Sequence, residues 1–188
     1  RNCDWSSDVC SSDLVERAGI AATDIDYAYI GTVVQAGQMH AMARQVTTRI
    51  GVPVERGSET INKVCASGLR AVALADYMIR LDEAGVVLAG GMESMTSAPF
   101  LALGARQGYR FGDVQLADAN LHDGLRDPWT HRVMYDQANE VSVGLGISRD
   151  ALDEWALRSH LRAVEAQRAG HFAPELDRKS TRLNSSHS

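Results

Sequence analysis

Cysteine is scarce in this chain, and where it falls matters more than how often. Of three cysteines in 188 residues, Cys3 and Cys10 lie in an N-terminal stretch unlike the rest, which leaves Cys65. One remaining cysteine excludes an intrachain disulfide framework and a cysteine-cluster zinc site, and it fits a reducing, cytoplasmic setting. Basic residues are also in the minority. Lys and Arg number 19 against 24 Asp and Glu, a net charge of −5, so the basic footprint of a nucleic-acid binder is missing. No apolar run approaches the roughly 20 residues that span a bilayer. No internal repeat is present.

Residues 4–13, DWSSDVCSSD, and residues 177–186, DRKSTRLNSS, lack helical or strand periodicity and any apolar signal-peptide region. A single short DNA relates them. The string gatcggaagagcacacgtctgaactccagtc encodes DRKSTRLNSS in its first frame. Its reverse complement, gactggagttcagacgtgtgctcttccgatc, encodes DWSSDVCSSD, and its last base can begin a Leu codon. This string resembles a sequencing-library adapter. Residues 1–14 and 177–188 are therefore expected to be non-native tails around a biological segment, 15–176, that is open at both ends. Two natural disordered tails would leave the strand relation a coincidence.

Within that segment, Val15-Glu-Arg-Ala-Gly-Ile reads as the last turn of a helix stopped at Gly19. Residues 27–34, YAYIGTVV, read as a strand, and residues 41–50 as a helix ended by Gly51 with Pro53 beyond. A short strand is expected near 60–64, then a long helix over 65–83. The first half of that helix is small or apolar on nearly every side, which predicts burial all round. Residues 85–91, GVVLAGG, follow as the continuous apolar run of a parallel strand covered on both faces. Strand, helix and strand in this order make a βαβ unit, so the fold class is α/β. Met92-Glu93-Ser94-Met95 then lies at the strand's carboxyl end, the edge where open α/β sheets bind ligands.

From about residue 97 to His131, Gly104, Gly108, Gly112, Gly124 and Pro128 punctuate a stretch without periodicity, which predicts a loop excursion. Helices are expected over 131–144 and 148–169. The second has Ser148 as N-cap, Gly170 as stop, and Leu152, Trp155, Ala156 and Ala163 on one face.

Cys65 admits two readings. An isolated cysteine is often a small buried hydrophobe. Against that, Cys65 stands where a strand passes sharply into a helix, a junction that can lift a nucleophile to a sheet edge. Unpaired N–H groups and the helix dipole favour negative charge there, and could stabilise an oxyanion. Ala66, Ser67 and Gly68 let another backbone or a thin substrate arm come close.

Asn-Lys-Val-Cys-Ala-Ser-Gly-Leu at 62–69 resembles the nucleophile motif of thiolases, the acetyl-CoA acetyltransferase and 3-ketoacyl-CoA thiolase family. Gly90-Gly91-Met92-Glu93-Ser94-Met95 resembles that family's second signature. Gln35-Ala36-Gly37, Ala43-Arg44-Gln45 and residues 146–160, GISRDALDEWALRSH, match in order and spacing. The resemblance covers essentially all of 15–176. It implies the N-terminal half of a thiolase fold, with Cys65 as the catalytic residue that attacks an acyl-CoA and holds an acyl-cysteine. It implies acyl-CoA and CoA as partners, no cofactor beyond the CoA thioester, and a full-length homodimer or homotetramer. Thiolases take their bases from a Gly-His-Pro histidine and a Cys-x-Gly-Gly-Gly cysteine in the C-terminal half. None of His40, His122, His131, His160 or His171 has the first setting, and no second native cysteine exists. This chain is therefore expected not to turn over alone, and to expose the surface that faces the missing half.

Departures from the family pattern fall at two places. Met134-Tyr135 stands where Met-Gly is common near the CoA channel. Met134 is a candidate substrate-binding residue with core packing as its alternative, and Tyr135 would crowd the channel. Met39-His40-Ala41-Met42 replaces Gly-Gln-Asn-Pro in a loop toward a neighbouring subunit. His131, without a partner at metal-like spacing, reads as a loop histidine. Arg106, Arg110 and Arg126 read as surface arginines, while Gly90 and Gly91 are expected to permit a close backbone approach. The competing functions are a ketosynthase-like condensing enzyme, against which Asn62-Lys63-Val64 argues, and a thiolase-like protein that binds acyl-CoA or lipid without turnover.

Overall fold

The computed structural model describes residues 6–173. The chain divides into two units, Arg1–Arg126 and Asp127–Ser188.

The first unit is built on a parallel sheet in the order β2–β1–β3, with β1 at Tyr27–Gly31, β2 at Gly57–Ile61 and β3 at Val87–Gly91. The three strands run in step, Tyr27 between Gly57 and Val87, and Gly31 between Ile61 and Gly91. Alternation along β1 sends successive side chains to opposite faces. Ala28 and Ile30 join Ile25, Ala43, Val52 and Leu88 in one cluster, with Val15 and Ile50 packed against it. Tyr29 joins Ala71 and Ala75 in the other, with Tyr27 and Leu74 alongside. Helices therefore cover both faces: α1 (Ser6–Ala18) and α2 (Met42–Arg49) on one, α3 (Ser67–Arg80) on the other. This is the βαβ arrangement anticipated from the apolar runs.

Hydrogen bonds fix the two ends of the sheet. At the amino end, the Asp26 carboxylate accepts from Gly85 N (2.9 Å) and Val86 N (3.1 Å) and pairs with Arg56 at 3.0 Å. These backbone donors, more than the arginine, hold its carboxyl below the usual range. In the second cluster the Tyr27 hydroxyl donates to Glu59 Oε1 at 3.0 Å. Burial and then that carboxylate push its phenol up to about 12.

Several boundaries and faces differ from expectation. Strand β1 stops at Gly31 because residues 32–34 leave the sheet to meet a side chain of the β3 end. Strand β2 lies three residues earlier than expected, since Asn62 already turns the chain. Helix α1 begins at Ser6, inside the segment set aside as a tail. Ser, Asp and Cys without proline do not break a helix. It ends, as expected, at Gly19, with φ +68°.

Helix α3 is not buried all round. Ser67, Ala71 and Ala75 form its buried stripe, while Leu69 is 75 % exposed and Val72 52 %. A small-residue stripe at four-residue spacing meets the sheet, and among the described residues no second layer covers the opposite apolar side. Strand β3 likewise packs on both faces but buries only Leu88 fully.

The excursion holds a two-residue antiparallel ladder, β4 (Phe100–Leu101) with β5 (Ala117–Asp118), and a π-helical turn at Asn120–Leu125. Asn120 ties it back by donating from Nδ2 to Met95 O at 3.0 Å.

The second unit carries α4 (Met134–Gly144) and α5 (Arg149–Arg168). Helix α4 starts later than the expected 131 because Asp127 Oδ1 accepts from Trp129 N (2.7 Å) and Thr130 N (2.9 Å), winding 127–130 into a turn first. Ser148 caps α5 as expected, its Oγ accepting from Ala151 N at 3.2 Å. The apolar face of α5 is open: Trp155 is 68 % exposed, with the Arg158 guanidinium 4.1 Å above its ring.

Candidate active site

The carboxyl ends of β1 and β3 and the amino end of α3 border an open cavity of about 290 Å³, lined among others by Gly31, Thr32, Val64, Cys65, Gly91 and Glu93. Cys65 is a free, exposed thiol. That removes the reading of Cys65 as buried packing material. It does not open the helix directly, since α3 starts at Ser67 with Ala66 as N-cap.

Between β2 and α3 the backbone makes a strained turn. Val64 has φ +50°, a left-handed conformation that a β-branched residue rarely adopts. Four hydrogen bonds hold it there. Asn62 Oδ1 accepts from Val64 N at 3.0 Å, and Ser67 N donates to Val64 O at 3.0 Å. The buried Ser67 hydroxyl accepts from Lys63 N at 2.9 Å and donates to Val64 O at 2.5 Å. Such strain persists only where surrounding contacts over-determine it, and it concentrates at functional sites.

Close backbone packing sets the floor of the cavity. A Cβ on Gly31 would lie 2.5 Å from Ser67 C and 2.7 Å from Gly68 N. A Cβ on Gly91 would lie 3.3 Å from Gly68 Cα. Gly90, expected to share this role with Gly91, has nothing within 4 Å of its Cβ position. The closest approach is at Gly31, which sequence reasoning read only as part of a strand.

Glu93 was also passed over, although a carboxylate directly behind a two-glycine strand end was a legible signal. Its Oε2 accepts from Val33 N at 2.8 Å. Its Oε1 accepts from Val34 N at 3.1 Å and from Thr32 Oγ1 at 3.2 Å. With Met92 N donating to Gly31 O at 2.8 Å, the loop after β1 is tied to the end of β3.

The other candidates are not among the residues that line this cavity. No histidine lines it. His131 sits in the second unit's loop with φ +56°, and His122 Nδ1 lies 2.6 Å from Asp123 Oδ1. Arg106, Arg110 and Arg126 are exposed. Met134 opens α4 at 42 % exposure. No cluster of three potential metal ligands occurs among the described residues, and no described helix is long and apolar enough to cross a membrane.

Residues 7–183 match the family described as thiolase, N-terminal domain. The chain belongs to the thiolase family. The acetyl-CoA acetyltransferase of Chromobacterium violaceum is 40 % identical over 163 residues, 87 % of this chain and 42 % of that protein. The mitochondrial acetyl-CoA acetyltransferase of Rattus norvegicus is 37 % identical over 162 residues, 86 % of this chain and 38 % of that protein. The crystal structure of the Acat5 thiolase from Ascaris suum in complex with coenzyme A superimposes with a TM-score of 0.87 at 31 % identity, covering 91 % of this chain and 44 % of that one. The fold is that of a thiolase, and the chain spans about two-fifths of the length of the relatives it matches.

Proposed function

We propose that the full-length protein is an acyl-CoA acyltransferase of thiolase type with Cys65 as its acyl carrier. The Cys65 sulfur attacks the thioester carbonyl, a new S–C bond forms, and CoA leaves as its thiol. The acyl group then passes to the α-carbon of a second acyl-CoA in a Claisen condensation, or to the CoA thiol in thiolysis. The observation that carries this reading is an exposed thiol beside a strained turn, in a cavity at the carboxyl edge of a parallel sheet. Both directions need a base to take the thiol proton and a group to move the α-proton. This chain supplies neither a Gly-His-Pro histidine nor a second native cysteine, and we assign both to the rest of the protein. The chain alone is accordingly inactive in turnover.

On the same reading the substrates are acyl-CoA and CoA, with no further cofactor, and the full-length protein is a homodimer or homotetramer. Its place is a reducing compartment, cytoplasmic or organellar. Met134 is carried as an acyl-chain contact of the full-length protein, and residues 1–14 and 177–188 as adapter-derived tails.

The test has two parts. Iodoacetamide labelling of Cys65, followed on its own peptide, is expected to run faster in the folded chain than in guanidinium. In the full-length gene product, Cys65→Ala is expected to abolish acyl transfer while leaving CoA binding. A full-length protein that binds acyl-CoA with no transfer at all establishes the non-catalytic binder instead.

A further inference from the structure

A continuous hydrogen-bond path runs from the end of β3 to the turn that presents Cys65. Glu93 Oε1 accepts from Val34 N (3.1 Å), the carbonyl of that same peptide, Val33 O, accepts from Asn62 Nδ2 (3.3 Å), and Asn62 Oδ1 accepts from Val64 N (3.0 Å). The Asn62 amide can serve both neighbours in one orientation only, because a carbonyl needs its NH2 and an N–H needs its oxygen. Val64 is the strained residue directly before Cys65, so the path ends where backbone geometry decides the position of the thiol.

We propose that Glu93 and Asn62 are positioning residues for Cys65, acting through the Val33 peptide and the left-handed Val64. The proposal rests on Cys65 being the reactive thiol of the reading above. Glu93 fixes the loop after β1 with three donors, which makes Val33 O a stationary acceptor. Asn62, thus oriented, holds Val64 N and keeps the turn in a conformation it would leave if freed. Cys65 then stays at the amino end of α3. Without the path the thiol samples other positions, and the orientation that a reacting group requires is lost.

The alternative is that Glu93 only braces the fold. Asp26 provides the control. It too is a carboxylate clamped on backbone N–H groups, those of Gly85 and Val86, but at the opposite end of the sheet. Glu93 and Asn62 are both exposed, so Glu93→Gln and Asn62→Ala leave the packing intact. In Glu93→Gln either orientation turns an NH2 toward a donor, Val33 N in one and Val34 N with the Thr32 hydroxyl in the other.

The experiment measures peptide-resolved iodoacetamide labelling of Cys65 in the folded chain and in guanidinium, together with thermal unfolding. Glu93→Gln and Asn62→Ala are each expected to slow folded-state labelling roughly tenfold toward the unfolded rate, the scale on which small misplacements act. The double variant is expected to be no slower than the worse single one, because both break the same path. Asp26→Asn lowers the unfolding temperature and leaves labelling unchanged. Thr32→Val, which removes one Glu93 donor without changing shape, gives a smaller slowing and decides the matter if Glu93→Gln does not fold. Equal labelling in wild type, Glu93→Gln and Asn62→Ala overturns the proposal, as does slowing by Asp26→Asn of the same size. Wild-type labelling no faster than in guanidinium instead overturns the reading of Cys65 itself.

Discussion

At Gly31 the first strand of the sheet runs so close to the start of α3 that a methyl group has no space. The obstructing atoms are backbone, which cannot rotate away, so Gly31→Ala forces the strand and helix apart. Overpacking of this kind costs about 3 kcal/mol, and urea unfolding of the variant should show a loss of that order. Gly90→Ala, one strand over and with open space at its Cβ position, should stay within about 1 kcal/mol of wild type. A second residue-scale effect belongs to Asp26. Its carboxyl is held below the ordinary 3.8 by the N–H groups of Val86 and Gly85 and by Arg56. A depressed carboxyl contributes stability above its unfolded value and loses it as pH falls through the folded one. Acid unfolding below about pH 4 should therefore be less steep in Asp26→Asn, and that variant should already be weaker at neutral pH. A variant with the wild-type acid profile would show that Asp26 does not contribute in this way.

Among elements, α5 offers the cleanest energetic test. Ser148→Ala removes the side chain that accepts from Ala151 N and should cost about 1 kcal/mol of helix stability, read as lost helical circular dichroism on heating. Elements are also the scale at which the sequence was most and least informative. The βαβ unit was legible because 27–34 and 85–91 carry strand patterns, glycines bound them, and α3 lies between. Where the elements end was less so. Strand β1 loses residues 32–34 to Glu93, and that long-range contact leaves no local trace. The burial of α3 was overstated for a related reason: an apolar run shows what a helix can bury, while Leu69 and Val72 show that the facing layer decides what it does bury. Within the site, Cys65 and its motif were plain, since a lone thiol at a strand–helix junction is a local feature. Gly31 and Glu93 were missed because their roles arise from residues about 35 and 60 positions away in sequence.

Taken whole, the chain presents apolar surface on α3, from Leu69 to Ile79, and on α5 at Trp155, Leu157 and Leu161. Contiguous exposed apolar surface of this kind drives association. The purified chain should bind a hydrophobic dye, unfold over a broad temperature range and aggregate with rising concentration. Leu69→Lys with Val72→Glu should raise its solubility without reducing helical content. A sharp, concentration-independent melt of the unmodified monomer would run against this picture.

The central claim is that Cys65 accepts an acyl group from a CoA thioester. Its most direct measurement is the mass of the Cys65 peptide after the full-length gene product is incubated with acetyl-CoA. One acetyl group on that peptide is expected, released by hydroxylamine and absent in Cys65→Ser. No acetyl group on Cys65, or equal acetylation in guanidinium, would contradict the account.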